Sequence, residues 1–381
     1  MVVSGRMGGA RGGSLDGARG VGWRASARHR ALRIPATRTA GGPAASGYVL
    51  AMRDWFRLLR AAGLITILAN LLAATTCAFY AGGQDVGDMW WLVQRIITGG
   101  PGPWLILLAS ACLYLSGMLW NDVVDLERDR HLHPERPLPS GRIGLLPAIV
   151  VGVLLTVAAP MAAFAAQTWT GLSLACLVLA LSFLYNLGCK GVPGLAPLSM
   201  AAVRAAHACF ALLLVGDLAQ ISLVDESGGW RIPPYALLLG GWVLGVTWIS
   251  ELESRQGRRW ELIAAGCLLA AILVVAVARV VTAPWLRSLW QGGDAGPILA
   301  VASVALTAGL AIAAGTITGV PLLRALRSGS RADTGAAVAA GLGAMILLDA
   351  ALAAAGQPKM AVFIALLYPV FRAMVQVGRM D

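Results

Sequence analysis

Nine stretches of this chain are apolar for long enough to cross a lipid bilayer, which takes about 20 helical residues. They run near 61–82, 103–120, 144–166, 168–187, 195–216, 234–250, 261–282, 297–319 and 334–356. The fold class they predict is an all-α integral membrane protein, a bundle of about nine transmembrane helices. A tenth run, 361–377, is interrupted by Pro369 and Arg372 and reads either as a final span or as a helix lying at the interface. Composition agrees: charged residues make up 13% of the chain, against roughly 25% in soluble domains.

Threading nine spans puts 121–143, 187–194, 251–260 and 320–333 on the side of the segment that precedes the first helix. From Arg53 onward that side carries 14 Lys and Arg, and the opposite loops carry four, Arg95, Arg231, Arg287 and Lys359. By the positive-inside rule the first side is cytoplasmic, in a multi-pass protein of the cell membrane.

Residues 1–51 hold eight arginines, one aspartate and no apolar run. They read as a disordered basic tail or a spurious N-terminal extension, ahead of a polytopic domain over 52–381. A second reading is a basic arm for anionic lipid headgroups. No signal-peptide core follows the arginines, and without interleaved aromatics they do not point to nucleic acid. The six cysteines lie in or beside apolar segments with no CxxC spacing, as core residues do. His131 and His133 read as interfacial rather than as metal ligands.

The anomaly is 119–143, LWNDVVDLERDRHLHPERPLPSGRI, which sets five acids and four arginines between two apolar runs. If the second helix continues into this stretch, Asn121, Asp122, Asp125 and Asp129 fall within about a 100° arc, with Glu127 opposite. Clustered carboxylates repel one another unless a cation neutralises them. Mg²⁺ prefers oxygen ligands and is commonly shared between carboxylates and substrate phosphates, so the cluster suits a phosphate-bearing substrate. Arg128, Arg130, Arg136 and Arg142 add candidates for phosphate contact. A solvated topology loop needs basic residues and has little use for phased aspartates.

NDVVDLERD followed by RPLPSGRI resembles the first signature of the UbiA superfamily of intramembrane prenyltransferases, N-D-x-x-D-x-x-x-D and then R-P-x-x-x-G-x-I. Asn121, Asp122, Asp125, Asp129, Arg136, Pro137, Gly141 and Ile143 occupy every fixed position. The stretch 184–210, LYNLGCKGVPGLAPLSMAAVRAAHACF, is similar to the family's Tyr and Lys segment and is closest in form to the EboC-like branch. The resemblance covers roughly 52–370. It implies a helical bundle around a central cavity, Mg²⁺-dependent ionisation of a polyprenyl diphosphate and prenyl transfer to a lipophilic acceptor. It further implies catalytic roles for Asp122, Asp125, Asp129, Tyr185 and Lys190, with Asn121 joining the aspartates as a metal ligand.

The second aspartate motif of the superfamily is altered. TWISELESRQGRRW, 247–260, sets two glutamates and an arginine where aspartates are expected. On a helix Glu251, Ser254, Arg255 and Arg258 share a face, while Glu253 stands about 200° from Glu251. Glu251 is the candidate for a second Mg²⁺, and Arg255 and Arg258 for direct diphosphate contact in partial replacement of a metal. The alternative is a topology loop that has lost that site. Within the spans, Arg204 and His207 lie at i and i+3, Asp349 is a candidate partner of Arg204, and Asn70 lines the cavity or bridges helices. Asn121, Arg136, Arg204 and Asn70 complete the expected substrate-binding set. Two rivals remain: a non-catalytic isoprenoid-binding or export protein that keeps the fold, and a transporter, which would gather charge at the midplane rather than at one face.

Overall fold

The computed structural model describes residues 52–81, 94, 96–215, 233–255, 259–282, 296–354 and 357–379, and among these every regular element is helical. The spans are α1 (Leu64–Ala81), α2 (Pro101–Val124), α4 (Leu145–Ala166), α5 (Trp169–Leu187), α6 (Leu195–Ala211), α7 (Pro234–Arg255), α8 (Arg259–Val281), α9 (Gly296–Ser328), α10 (Arg331–Ala353) and α11 (Pro358–Arg379). The short helix α3 (Leu126–Leu132) follows α2 directly. Ten helices among the described residues are therefore long and apolar enough to cross a membrane, where the sequence predicts nine. The addition is the interrupted run. Pro369 sits inside a continuous α11, because neighbouring helices and local adjustment satisfy what a proline frees in a span.

The helical stretch Leu145–Leu187 is two spans. Trp120 Nε1 donates to Thr156 Oγ1 at 2.9 Å, and the Trp120 ring lies 5.9 Å from that of Phe183. A straight helix would hold positions 156 and 183 about 40 Å apart at 1.5 Å per residue. The chain therefore doubles back, and α2 packs along both arms. Outward-facing Leu146, Val150, Leu154, Val157 and Met161 on α4 are exposed, as lipid-facing side chains are.

Helix α10 is the most enclosed span, with α1, α7, α9 and α11 packed around it. Small residues make this possible. Gly341 lets the Trp242 indole N–H reach its carbonyl at 3.0 Å, and a Cβ there would come within 2.7 Å of Val246. A two-residue turn joins α9 to α10: Gly329 takes φ 63°, and Ser330 caps α10 by accepting the Asp333 amide at 3.1 Å.

A second, smaller core lies beside the aspartate end of α2. Leu58 and Leu119 pack with Leu138, Ile143 and Ala148, and Trp55 and Leu59 close over them. This cluster fixes the 133–144 loop against the helical turn that precedes α1.

Candidate active site

The loop after α3 is shaped by the residues that stand out in its sequence. Gly141 adopts φ 76°, a conformation costly for other residues, and the Ile143 amide then donates to the Pro137 carbonyl at 3.1 Å. With Leu138 and Ile143 anchored in the small core, Arg136 is delivered to Asp129, Nη1 to Oδ2 at 2.5 Å. Arg142 secures the loop from outside, donating to Asp54 at 2.9 Å and to the Glu135 carbonyl at 2.8 Å.

The phased acids each meet a different cation. Asp129 pairs with Arg136, Asp125 with Lys190, and Asp122 with Arg60 at 2.9 Å. Lys190 comes from the short turn after α5 and also donates to Asn121 Oδ1 at 2.8 Å. Arg130 instead pairs with Glu127 on the exposed side of α3. Mutual repulsion is thus relieved by side chains as well as by any bound cation.

A cavity of about 210 Å³ opens between these groups, lined by Asn121, Asp125, Arg128, Asp129, Arg136 and Lys190 among others. One water needs about 10–15 Å³ of such space, so the cavity admits a much larger polar group. A second, mainly apolar cavity of about 100 Å³ runs inward between α2, α5 and α6, past Leu113, Met118, Val178, Met200 and Val203. Arg60, Asn121 and Tyr185 line both cavities, so the two adjoin at these residues.

The charged cavity is lined by two carboxylates, Asp125 and Asp129, and by the Asn121 amide, and the His133 imidazole lines it too. Among the described residues no three His, Cys, Asp or Glu side chains form a ready-made metal cluster. The expected convergence of three carboxylates is therefore reduced, since Asp122 turns to Arg60. The remaining set still fits Mg²⁺, which is usually held by one or two carboxylates plus waters and substrate phosphates.

The other expected residues separate. Tyr185 lines both cavities, with Lys190 Nζ 6.0 Å from its ring centre. Arg204 lines the apolar cavity rather than the charged one, and His207, hydrogen-bonded to Ser110 at 2.9 Å, lies beside it. Asp349 is not the salt-bridge partner of Arg204 but bonds Asn70 and, at 2.9 Å, the Tyr235 hydroxyl. Asn70 thereby ties α1 to α10 and lines neither cavity. Glu251 accepts the Gly194 amide at 3.2 Å, where α6 begins, outside the lining of both cavities. Arg258 and the side chain of Arg255 lie outside the described residues.

Three lining residues escape the sequence reading. Arg60 resembles one more topology charge, Tyr114 one more aromatic in a span, and Asn186 is overshadowed by its neighbour Tyr185. Arg60 is the only described non-glycine with positive φ, at 47°, and its carbonyl accepts the Tyr114 hydroxyl at 3.2 Å. That left-handed turn aims its guanidinium at Asp122.

Comparison with known proteins adds a family. Structures similar to the chain include a UbiA homologue from Aeropyrum pernix K1, with 21% identity, TM-score 0.48, and coverage of 72% of this chain and 96% of that one. A UbiA homologue from Archaeoglobus fulgidus bound to GPP and Mg²⁺ has 14% identity, TM-score 0.45, and coverage of 77% and 99%. A structure described for digeranylgeranylglyceryl phosphate synthase has 14% identity, TM-score 0.45, and coverage of 86% and 99%. No curated protein matches significantly. The model of the UbiA prenyltransferase family matches residues 86–324, well over half of the chain and inclusive of both cavities' α2, α5 and α6 walls. On that match the chain belongs to the UbiA prenyltransferase family.

Proposed function

We propose that this protein transfers a prenyl group from a polyprenyl diphosphate to an acceptor within the membrane. The observation that carries the reading is the junction of a charged cavity with an apolar one through Arg60, Asn121 and Tyr185. A diphosphate with a hydrocarbon tail needs both environments side by side.

In this reading Asn121, Asp125 and Asp129 hold Mg²⁺, which supplies charge stabilisation to the diphosphate oxygens. Arg128, Arg136 and Lys190 surround the same space and donate hydrogen bonds to the leaving group as negative charge builds on it. The C1–O bond of the allylic diphosphate breaks, and its electron pair leaves with the diphosphate. The acceptor nucleophile then supplies the pair for the new bond to C1 and gives up its proton to the released diphosphate. Tyr185, where the two cavities adjoin, presents its ring to the allylic cation. Apolar walls beyond it exclude the water that would otherwise capture that cation. Asp122 holds Arg60 where the two cavities adjoin, and Glu251 positions the start of α6 through Gly194.

The test is Mg²⁺-dependent diphosphate release by the full chain in detergent, from prenyl diphosphates of several lengths, with a lipid extract as the acceptor source. Asp125→Asn is expected to lower release about a hundredfold or more, and chelation to abolish it. Tight Mg²⁺-dependent binding without release, extract included, would replace this reading by an isoprenoid-binding or export protein.

A further inference from the structure

Four side chains bring fixed positive charge to the lining of the charged cavity: Arg60, Arg128, Arg136 and Lys190. Three of them are matched one for one by acids, Arg60 by Asp122, Arg136 by Asp129 and Lys190 by Asp125. His133, also in the lining, has Glu135 Oε1 3.5 Å from its Nδ1 and adds no surplus. Among the described residues no acid pairs with Arg128. Its place in the helix is that of a site residue. Asp125 N–H donates to the Asn121 carbonyl and Asp129 N–H to the Asp125 carbonyl, so the helical path continues from α2 into α3. Seven residues separate Asn121 from Arg128, which sets the two side chains about 20° apart at 100° per residue. Arg130, two positions on, instead pairs with Glu127 on the exposed side. The carboxylates lining the cavity are Asp125 and Asp129, while Glu251 lies outside it against Gly194.

We propose that Arg128 takes the place of a second divalent cation: its guanidinium binds the diphosphate directly, and the loaded site holds a single Mg²⁺. This rests on the prenyl-transfer reading. A prenyl diphosphate brings about three negative charges, about two of them on the terminal phosphoryl group. One Mg²⁺ and the Arg128 guanidinium neutralise it while the three ion pairs around the cavity stay balanced. A second Mg²⁺ would leave excess positive charge beside four cationic side chains, where like charges repel. Ligand supply agrees, since one or two carboxylates, completed by waters and phosphate oxygens, are the usual protein share of one Mg²⁺. The planar guanidinium also offers paired N–H donors to a phosphoryl group, so it fixes orientation as well as charge.

The test uses the full chain in detergent with geranyl S-thiolodiphosphate, an analogue whose C1–S bond resists ionisation, and Mn²⁺ as a paramagnetic substitute for Mg²⁺. Electron paramagnetic resonance of free Mn²⁺, at saturating analogue, counts the ions bound to the protein. The wild type is expected to bind one. Arg128→Gln is expected to weaken the analogue about ten- to hundredfold at saturating Mn²⁺, as loss of a charge-assisted hydrogen bond does. Arg130→Gln, which removes the neighbouring cation outside the cavity, should change neither the count nor the affinity. Size-exclusion profiles and melting temperatures check the folding of both variants, and if Arg128→Gln does not fold, the wild-type count decides. Two Mn²⁺ on the wild type, or unchanged analogue affinity in Arg128→Gln, overturns the proposal and leaves prenyl transfer standing. No Mn²⁺-dependent binding of the analogue to the wild type would sink prenyl transfer, and this proposal with it.

Discussion

At the scale of single residues, charge here is distributed in pairs that share one space. Arg60 illustrates how backbone and charge cooperate, since its left-handed conformation is costly for a residue with a Cβ and is retained where it directs the guanidinium to Asp122. Asparagine tolerates that conformation better than other side chains. Arg60→Asn should therefore keep stability within about 1 kcal/mol of wild type, because the pair is partly solvent-exposed, while weakening geranyl diphosphate binding about tenfold. Thermal melts and a binding titration on the same preparation separate the two effects, and equal loss in both would make Arg60 a structural residue. The aspartates of this site are legible in sequence because their spacing is local: 100° per residue puts Asn121, Asp125 and Asp129 on one side. Arg60, Asn186 and the separation of Arg204 from Asp349 are not legible, because each depends on which helices meet, and spacing within one helix carries no information on that.

At the scale of elements, most spans are visible as apolar runs, and departures have physical causes. The boundary between α4 and α5 is legible in sequence, where the runs 144–166 and 168–187 part; both arms remain helical, and the contacts of Trp120 with Thr156 and Phe183 show the chain doubling back there. The tenth span is obscured by Pro369, whose freed backbone group neighbouring spans can satisfy, and by Arg372, whose charge interrupts the apolar run. Packing of α10 on α7 depends on the absence of a side chain at Gly341, beside Val246 and Trp242. Gly341→Leu should cost about 1–3 kcal/mol by overpacking, read as a lower melting temperature in detergent. Gly309, where an added Cβ would meet no atom within 4 Å, is the matched control. Gly309→Leu should leave the melting temperature unchanged or slightly raised, since leucine favours a helix over glycine by somewhat under 1 kcal/mol. Equal loss from both substitutions would remove close packing at Gly341 as the cause.

At the scale of the whole molecule, the tenth span changes parity. With nine crossings the chain would end opposite the charged cavity, and with ten it returns to the cavity's side. Arg372 and Arg379 belong to the last helix, so this return brings basic residues toward the side where sequence already concentrates 14 Lys and Arg against four. The positive-inside rule then favours a cytoplasmic position for both the charged cavity and the end of α11. A fluorescent protein that matures only in the cytoplasm, fused after residue 381, should therefore be bright, whereas a periplasmic phosphatase at the same point should be inactive. Moving both fusions to residue 357, before α11, should reverse the pattern, because only nine crossings precede that point. Unchanged signals at the two positions would mean that α11 lies along the interface and that the bundle closes with nine spans.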